Sequence, residues 1–250
     1  MRCVTVQELE RLAAELGIDV VGAAPAEPYE DTERHIRERG ERGLFADMRF
    51  TMAQPQVSCH PETLVANART VVSAALGYWS EEPSIEPGRG RLPRYTWFHA
   101  YAELREKLDA LGRRLGGDYR VLVDENQHVD REAAARSGVG FYGKNTLLIT
   151  RRHGSWVVLG TLVTEVGIEP GEPMPFACGS CTLCIEACPT GALDEPGVLA
   201  QELVLGAGVI LDHAARLLIG DVAVSECDEG VPAQVARVVP GHEETLVADA

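Results

Sequence analysis

The chain has 250 residues, of which 45% are apolar and 24% are charged. A chain of this length can bury a sizeable core, so its composition excludes a collagen-like, disordered or small disulfide-stapled protein. The formal net charge of −15 argues against a broad nucleic-acid-binding surface. Residues 191–250 alone carry a net charge of −9. Because most of the negative charge lies there, a local basic surface on residues 1–190 remains compatible with the sequence.

Two features of the sequence predict the cellular compartment. No uncharged apolar run approaches the roughly 18 to 20 residues that cross a bilayer, since the best candidate, Leu203–Leu211, stops at Asp212. Met1–Glu10 lacks the apolar segment of a secretory signal. We therefore expect a cytoplasmic protein that does not bind a membrane.

Hydrophobic periodicity predicts helices that alternate with strands through about residue 168. The first helix follows a capping box, Thr5-Val-Gln-Glu8, and ends at Gly17. Further helices are expected at 31–39, Ala100–Leu115 and Asp130–Arg136, and strands at 18–24, 69–76 and 119–123. A last strand pair, Thr146–Thr150 with Trp156–Val163, is expected around the Arg151–Gly154 turn. This alternation favours an α/β sandwich.

Four of the seven cysteines lie within eleven residues, at Cys178, Cys181, Cys184 and Cys188. In a cytosolic chain, such a cluster indicates metal or redox chemistry rather than disulfides. The spacing C-x2-C-x2-C-x3-C-P is that of bacterial [4Fe–4S] proteins, in which the fourth cysteine ligates the other cluster. The alternative is a structural zinc site, but zinc ligands usually form two pairs a dozen or more residues apart. The run therefore predicts an iron–sulfur cluster.

The glycine-rich segment Gly138–Asn145 contains both G-x-G-x-x-G and G-x-x-x-x-G-K, yet its context fits neither nucleotide-binding motif. It follows a predicted helix rather than a strand, and Asn145 stands where a P-loop needs Ser or Thr. Glycines still let backbone approach a flat ligand closely, and Lys144 and Asn145 offer hydrogen-bond donors. We expect a ligand-binding segment that is not a nucleotide loop.

A carboxylate, Asp124, ends the apolar strand Val121–Val123, where open α/β sheets place their ligands. Taken alone, such an Asp is more often a turn residue or a helix cap. Glu125 and Asp130 compete with it for any acid role. The residues by themselves leave these alternatives open.

Several segments match one known pattern: Val123-Asp124, Ala135–Gly140, Gly143–Ile149, Gly154–Gly160, and the cysteine run through Cys188–Ala192. Glu15–Gly22 and Arg94–Trp97 match it as well. Together they resemble the tRNA epoxyqueuosine reductase family over roughly residues 6–199. The cysteine run is shared with many ferredoxins, whereas the series from Asp124 to Trp156 is much more specific.

The resemblance implies a cobalamin-dependent oxidoreductase. Its N-terminal α/β domain, similar to that of reductive dehalogenases, would hold base-off cobalamin, and a ferredoxin-like domain would hold two [4Fe–4S] clusters. Electrons would pass from an external donor, such as a flavodoxin or ferredoxin, through the clusters to cobalt. Reduced cobalt would then drive removal of the epoxide oxygen of epoxyqueuosine at the wobble position of tRNA. The expected partners are the tRNA anticodon loop and the electron donor, and we expect a monomer.

The resemblance also implies roles for individual residues. By motif position, Asp124 would be the proton donor, and the cobalamin pocket would include Tyr95, Asp124, Lys144, Asn145, Leu148 and Leu159. An acid buried beside the apolar corrin would keep its proton near neutral pH, and general acid catalysis typically contributes 10²–10⁴-fold. Leu148 and Leu159 lie on flanking strands, where apolar walls suit a macrocycle.

The chain departs from the family pattern beyond residue 199. Val204, Gly230 and Val239 stand where the second ligand set is expected to have cysteines, and Cys227 alone remains. Two accounts fit: an impaired homologue with a degenerate or frame-shifted tail, or a divergent relative with one cluster and another substrate. The acidic tail is also unfavourable for docking tRNA. The competing functions are a ferredoxin-like electron carrier without reductase activity and a zinc-stabilised binding module.

These observations divide the chain into three parts. We expect a cobalamin-binding α/β domain over 1–168 and a small ferredoxin-like [4Fe–4S] domain over 169–230. The boundary is the segment 169–175, whose three prolines and one glycine are typical of a linker. An acidic, poorly ordered tail is expected over 231–250.

Overall fold

A four-stranded sheet forms the centre of the computed structural model, which describes residues 3–46, 50–81, 92–125, 127–201 and 203. Its strands are β1 (Val20–Pro25), β2 (Thr70–Gly77), β3 (Tyr119–Leu122) and β6 (Val157–Thr164). They lie in the order β1-β2-β6-β3, and all three pairings are antiparallel. The predicted strands at 18–24, 69–76 and 119–123 are therefore confirmed, with small shifts at their ends.

A separate two-stranded hairpin contains β4 (Phe141–Tyr142) and β5 (Leu148–Ile149). Here the expected pairing of Thr146–Thr150 with Trp156–Val163 is wrong, because β5 pairs with β4 while β6 lies between β2 and β3. Periodicity identifies a strand but not its neighbour, and the eight-residue apolar β6 is buried best at the centre of the main sheet. A single bridge between Thr150 and Gly154 is present at the expected turn.

Helices α1 (Val6–Glu15) and α4 (Ala100–Leu115) pack on one face of the sheet, and α5 (Asp130–Arg136) packs on the other. The remaining helices are α2 (Glu30–Glu41), α3 (Pro55–Ser58) and α6 (Leu183–Glu186). Short 3-10 turns occur at Phe50–Met52, Pro61–Thr63 and Arg94–Thr96. The bounds of α4 and α5 are those predicted from the sequence. The predicted N-cap is also confirmed, since the Thr5 hydroxyl accepts a hydrogen bond from the Glu8 N–H at 3.2 Å.

The side chains of β2 alternate between two apolar layers, as the period of a strand requires. Val72 and Ala74 belong to the cluster that contains Leu104 and Leu108 of α4. On the opposite face, Ala75 belongs to a cluster with Leu148 and Leu159. The predicted sandwich of helices and sheet is thus confirmed as a mixed α/β fold.

The segment 169–175 contains no helix or strand, which agrees with the composition of a linker. Its backbone is nevertheless tied to the main body, because the Gly171 N–H donates to the Ala23 carbonyl oxygen at 2.8 Å. The expected tail over 231–250, together with Val204, Cys227, Gly230 and Val239, lies outside the described residues. No helix in the described ranges combines the length and apolarity that a bilayer span requires.

Close packing of β1 against the end of α5 generates a stability prediction. A Cβ on Gly22 would lie 2.0 Å from the Ser137 carbonyl oxygen, which is backbone and cannot rotate away. We expect Gly22→Ala to lower the free energy of unfolding by about 3 kcal/mol, as overpacking does. Urea titration followed by circular dichroism measures the change.

Gly40→Ala is the matched control, since Gly40 lies in α2 and its added Cβ would meet the Phe45 ring at an ordinary 3.5 Å. Replacement of a helical glycine should raise the free energy of unfolding by up to about 1 kcal/mol. Equal stabilities of Gly22→Ala and wild type would contradict the close approach of β1 and α5.

Candidate functional site

A cleft of about 780 Å³ lies between α2, the start of α5, the β4–β5 turn and the segment that follows the cysteine run. Its volume is within the range of small-molecule and cofactor sites. Charged and apolar groups share its wall, among them Arg39, Phe45, Met52, Asp124, Glu125, Asp130, Arg131, Lys144 and Phe176. The cleft therefore suits a ligand with both polar and apolar parts.

Asp124 lies in this cleft on the loop that follows the edge strand β3. Because the sheet is antiparallel, the rule for parallel strands does not explain its position. Asp124 is exposed and has a φ of 56°, a left-handed conformation that few non-glycine residues adopt. Arg105 binds the residues on either side of Asp124. Its Nη2 donates at 2.7 Å both to the Val123 carbonyl oxygen and to the Glu125 carboxylate. This strained backbone presents the Asp124 side chain to the cleft.

The three carboxylates that compete for an acid role differ in their partners. Glu125 forms an ion pair with Arg105. Asp130 accepts a hydrogen bond from the Thr161 hydroxyl at 3.2 Å. Within the described part of the chain, no hydrogen bond or ion pair engages the Asp124 carboxylate. Asp124 is therefore the acid whose carboxyl group is most available to a ligand.

Lys144 connects the cleft to the cysteine run. Its Nζ donates to the carbonyl oxygens of Gly179 and Cys181, each at 2.8 Å. Its own carbonyl oxygen accepts from the Gly197 N–H at 2.9 Å. One side chain that lines the cleft thus holds the backbone of the cysteine loop in place.

The first three cysteines of the run lie beside the β4–β5 hairpin and in α6. Cys178 is buried against Phe141 and Ile149, and Cys181 packs against the same cluster. Burial raises the pKa of the Cys184 thiol, and the nearby charge of Cys178 raises it further.

The fourth cysteine of the run, Cys188, has a different environment. Burial raises the pKa of its thiol, but hydrogen bonds from Thr190 and from the backbone at Ala192 and Leu193 outweigh burial and lower the pKa overall. No three metal-ligating side chains in the described ranges are grouped tightly enough to hold a single metal ion. The spacing and the thiol chemistry of the run fit an iron–sulfur cluster.

The other residues predicted to hold a cofactor fall into separate groups. Tyr95 packs edge-on against Tyr101, with ring centroids 6.1 Å apart. Burial, followed by the charge of Asp124, raises the pKa of Tyr101 to about 12. Leu148 and Leu159 pack together in one apolar cluster.

Asn145 has a local structural role in the β4–β5 turn. It is buried, and its Oδ1 accepts from the Leu147 N–H at 3.1 Å. Of the six residues predicted for the cobalamin pocket, Asp124 and Lys144 line the described cleft.

Residues of α2 also line the cleft, and the sequence analysis did not select them. Thr32, His35, Ile36 and Arg39 share one face of the helix at the spacing i, i+3, i+4 and i+7. The amphipathic period was visible in the sequence. Nothing in the sequence indicated that this face meets a segment more than 150 residues away, where Arg39 donates to the Gly197 carbonyl oxygen at 3.2 Å.

The sequence of this chain is similar to those of known proteins. No family model matches the chain. A curated epoxyqueuosine reductase of Lactococcus garvieae is 36% identical over 209 residues, covering 80% of this chain and 59% of that protein. One of Synechocystis sp. is 36% identical over 206 residues, covering 79% of this chain and 71% of that protein. This chain belongs to the epoxyqueuosine reductase family.

Solved structures of the epoxyqueuosine reductase family agree with this assignment. One, determined with an epoxyqueuosine-modified tRNA stem loop, has 30% identity and a TM-score of 0.63, covering 78% of this chain and 54% of that one. Another, from Bacillus subtilis, has 29% identity and a TM-score of 0.65, again covering 78% of this chain and 54% of that one. In that structure an aspartate-bearing catalytic loop is swung out of the active site.

The fold is shared more widely than the family. A reductive dehalogenase structure has a TM-score of 0.51 at 18% identity and covers 74% of this chain and 25% of that one. This similarity shows a common mixed α/β fold. The chain spans 59% and 55% of the length of the first two curated epoxyqueuosine reductases it matches.

The Lys144 contacts generate a prediction about the cysteine loop. We expect Lys144→Met to increase amide hydrogen exchange over residues 178–184 by about tenfold, because two charge-assisted hydrogen bonds to that backbone are lost. Exchange is measured by mass spectrometry on the full chain.

Lys107→Met is the matched control. Lys107 Nζ also donates to a backbone carbonyl oxygen, that of Gly17, at 2.6 Å, and neither residue lines the cleft. It should leave exchange at 178–184 unchanged. Equal exchange of this loop in Lys144→Met and wild type would contradict the anchoring role of Lys144.

Proposed function

We propose that this chain reduces epoxyqueuosine to queuosine at the wobble position of tRNA, with Asp124 as the proton donor. Membership of the epoxyqueuosine reductase family supports the reaction. The observation that carries the proposal is the shared wall of the cleft, where the carboxylate of Asp124, which pairs with no described residue, lies with Lys144, the anchor of the cysteine loop. A reductase needs an acid and an electron donor near one substrate, and Lys144 connects the cleft that holds the acid to the cysteine loop.

Two cofactors fit the residues that the chain supplies. The sulfur ligands that Cys178, Cys181, Cys184 and Cys188 can supply have the spacing and softness for [4Fe–4S] ligation, and Cys227 is the further candidate ligand. When bound, cobalamin reduced through the cluster supplies the electrons that remove the epoxide oxygen.

We assign the cobalamin pocket to Tyr95, Asp124, Lys144, Asn145, Leu148 and Leu159. Leu148 and Leu159 belong to one apolar cluster, and apolar surroundings suit a macrocycle. Tyr95 packs edge-on against Tyr101, whose pKa is raised by burial and by the charge of Asp124. The mouth of the pocket is charged, since Lys144 and Asp124 both line the cleft.

Asp124 performs the proton transfer in this proposal. Opening of an epoxide leaves charge on oxygen, and a carboxylic acid within reach neutralises it in the transition state. The swung-out catalytic loop of the Bacillus subtilis enzyme supports a mobile acid at this position.

The partners follow from the same reaction. The substrate is a tRNA anticodon loop, and the structure with a modified stem loop supports this class of partner for the family. An external donor of the flavodoxin or ferredoxin type supplies electrons, and the protein acts as a cytoplasmic monomer. The cysteine module forms a ferredoxin-like domain after the segment 169–175.

An iron–sulfur electron carrier without reductase activity is the second candidate. The observation that favours it is the incomplete second ligand set, in which Val204, Gly230 and Val239 replace cysteines. Both functions need the first cluster, whereas cobalamin uptake belongs to the reductase alone.

Cofactor loading tests the proposal first. After anaerobic reconstitution with iron and sulfide, we expect about four irons and four sulfides for each filled cluster. Added cobalamin should bind in the base-off form, as visible spectroscopy reports. Cys184→Ser should lose the iron, and Cys3→Ser, an exposed thiol outside the run, should retain it. Zinc without acid-labile sulfide would contradict the cluster, and absence of cobalamin uptake would favour the electron carrier.

Substitution of the proposed acid tests the mechanism. We expect Asp124→Asn to lower single-turnover reduction of an epoxyqueuosine-containing stem loop by about 10²–10⁴-fold, because the proton donor is lost. Asp118→Asn is the matched control, since Asp118 is exposed beside the opposite end of β3. Wild-type turnover by Asp124→Asn would remove Asp124 from the mechanism.

A further inference from the structure

The proton balance of the proposed reaction calls for more than one acid. Removal of an epoxide oxygen as water breaks two C–O bonds, forms one C=C bond, and consumes two electrons and two protons. The external one-electron donor supplies the electrons. Asp124 holds one proton at a time, so a second proton must reach the oxygen before it can leave as water.

Asp130 is the second carboxyl group in the same cleft that no ion pair occupies. It begins α5, six residues after Asp124, and both residues line the cleft. Its Oδ1 accepts from the hydroxyl of Thr161, a fully buried residue of β6, at 3.2 Å. Within the described ranges, no basic side chain forms an ion pair with it. Glu125, by contrast, forms an ion pair with Arg105.

The charges around Asp130 favour its protonated form. Burial raises its pKa to about 7, and the negative charges of Asp124 and Glu125 act in the same direction. The Thr161 hydrogen bond and the positive charge of Arg131 oppose this shift. Arg131 is exposed, which weakens its effect. Tyr101 of α4 responds to the same two charges. The charge of Asp124 raises the pKa of Tyr101, and the charge of Asp130 raises it by a smaller amount.

We propose that Asp130 is the proton reservoir that reloads Asp124 within one turnover, an inference that rests on the proposed reductase function. Asp124 first gives its proton to the epoxide oxygen as the first C–O bond breaks. Asp130 then protonates Asp124, which passes this second proton to the same oxygen as water leaves and the double bond forms. Two solvent protons afterwards restore both carboxyl groups. Because Asp130 acts through Asp124, it is a positioning residue.

The direction of the pH dependence follows from this role. Below about pH 7 Asp130 carries the proton, and above it the proton is lost, so turnover should fall as the pH rises through this value. The Thr161 hydroxyl stabilises the carboxylate form. Its removal in Thr161→Val should therefore move the falling limb to higher pH.

Infrared difference spectroscopy of the full chain tests the protonation directly, without turnover. A carboxylic acid band should disappear between about pH 6 and pH 8 in wild type and in Asp118→Asn. It should be absent from Asp130→Asn and titrate at higher pH in Thr161→Val. Absence of any such band in wild type would overturn the proposal.

Single-turnover reduction across the same pH range tests the use of the proton. We expect Asp130→Asn to reduce the stem loop about 100-fold more slowly than wild type and to lose the fall in turnover above about pH 7. Asp130→Glu should restore part of the rate. Thr161→Val covers the case in which Asp130→Asn fails to fold. If Asp130→Asn keeps the wild-type rate and the wild-type fall of turnover with pH, the role of Asp130 as a proton reservoir is overturned, while the proposed reductase function stands. Wild-type protein that binds no cobalamin and reduces no stem loop would reject both.

Discussion

The contact between Lys144 and the carbonyl oxygens of Gly179 and Cys181 is the interaction on which the site depends. It joins the glycine-rich turn to the cysteine loop. The Gly197 N–H donates to the Lys144 carbonyl oxygen, so the segment after the cysteine run is held at the same turn. An ammonium group that donates to two carbonyl groups holds both backbones through charge-assisted hydrogen bonds. Packing of Cys178 against Phe141 and Ile149 adds a second connection between the cysteine loop and the hairpin.

Three carboxylates at one end of an antiparallel sheet acquire different properties from their surroundings. Arg105 pairs with Glu125, burial raises the pKa of Asp130 while the Thr161 hydroxyl opposes that shift, and Asp124 is exposed in the cleft. Environments that separate the behaviour of similar groups are typical of sites that move protons. The left-handed φ of Asp124 occurs in the loop that places its side chain in the cleft, and the residue does not cap a helix.

Local signals in the sequence predicted local structure well. The Thr5 cap and the bounds of Ala100–Leu115 follow from side chain chemistry and period within a few residues. The pairing of β5 was wrong because partner choice depends on long-range packing that no short window contains. For the same reason the sequence selected Asp124 and Lys144 by their motifs but did not place the α2 face beside them, since that contact crosses most of the chain.

The central claim is that the thiol loop and the Asp124 cleft form one redox site. Electron paramagnetic resonance of the anaerobically reconstituted chain with cobalt(II) cobalamin tests it most directly. Reduction of the cluster should broaden and speed the relaxation of the cobalt signal, because two unpaired spins held in one site interact magnetically. A cobalt signal that is identical with the cluster oxidised and reduced would contradict the account.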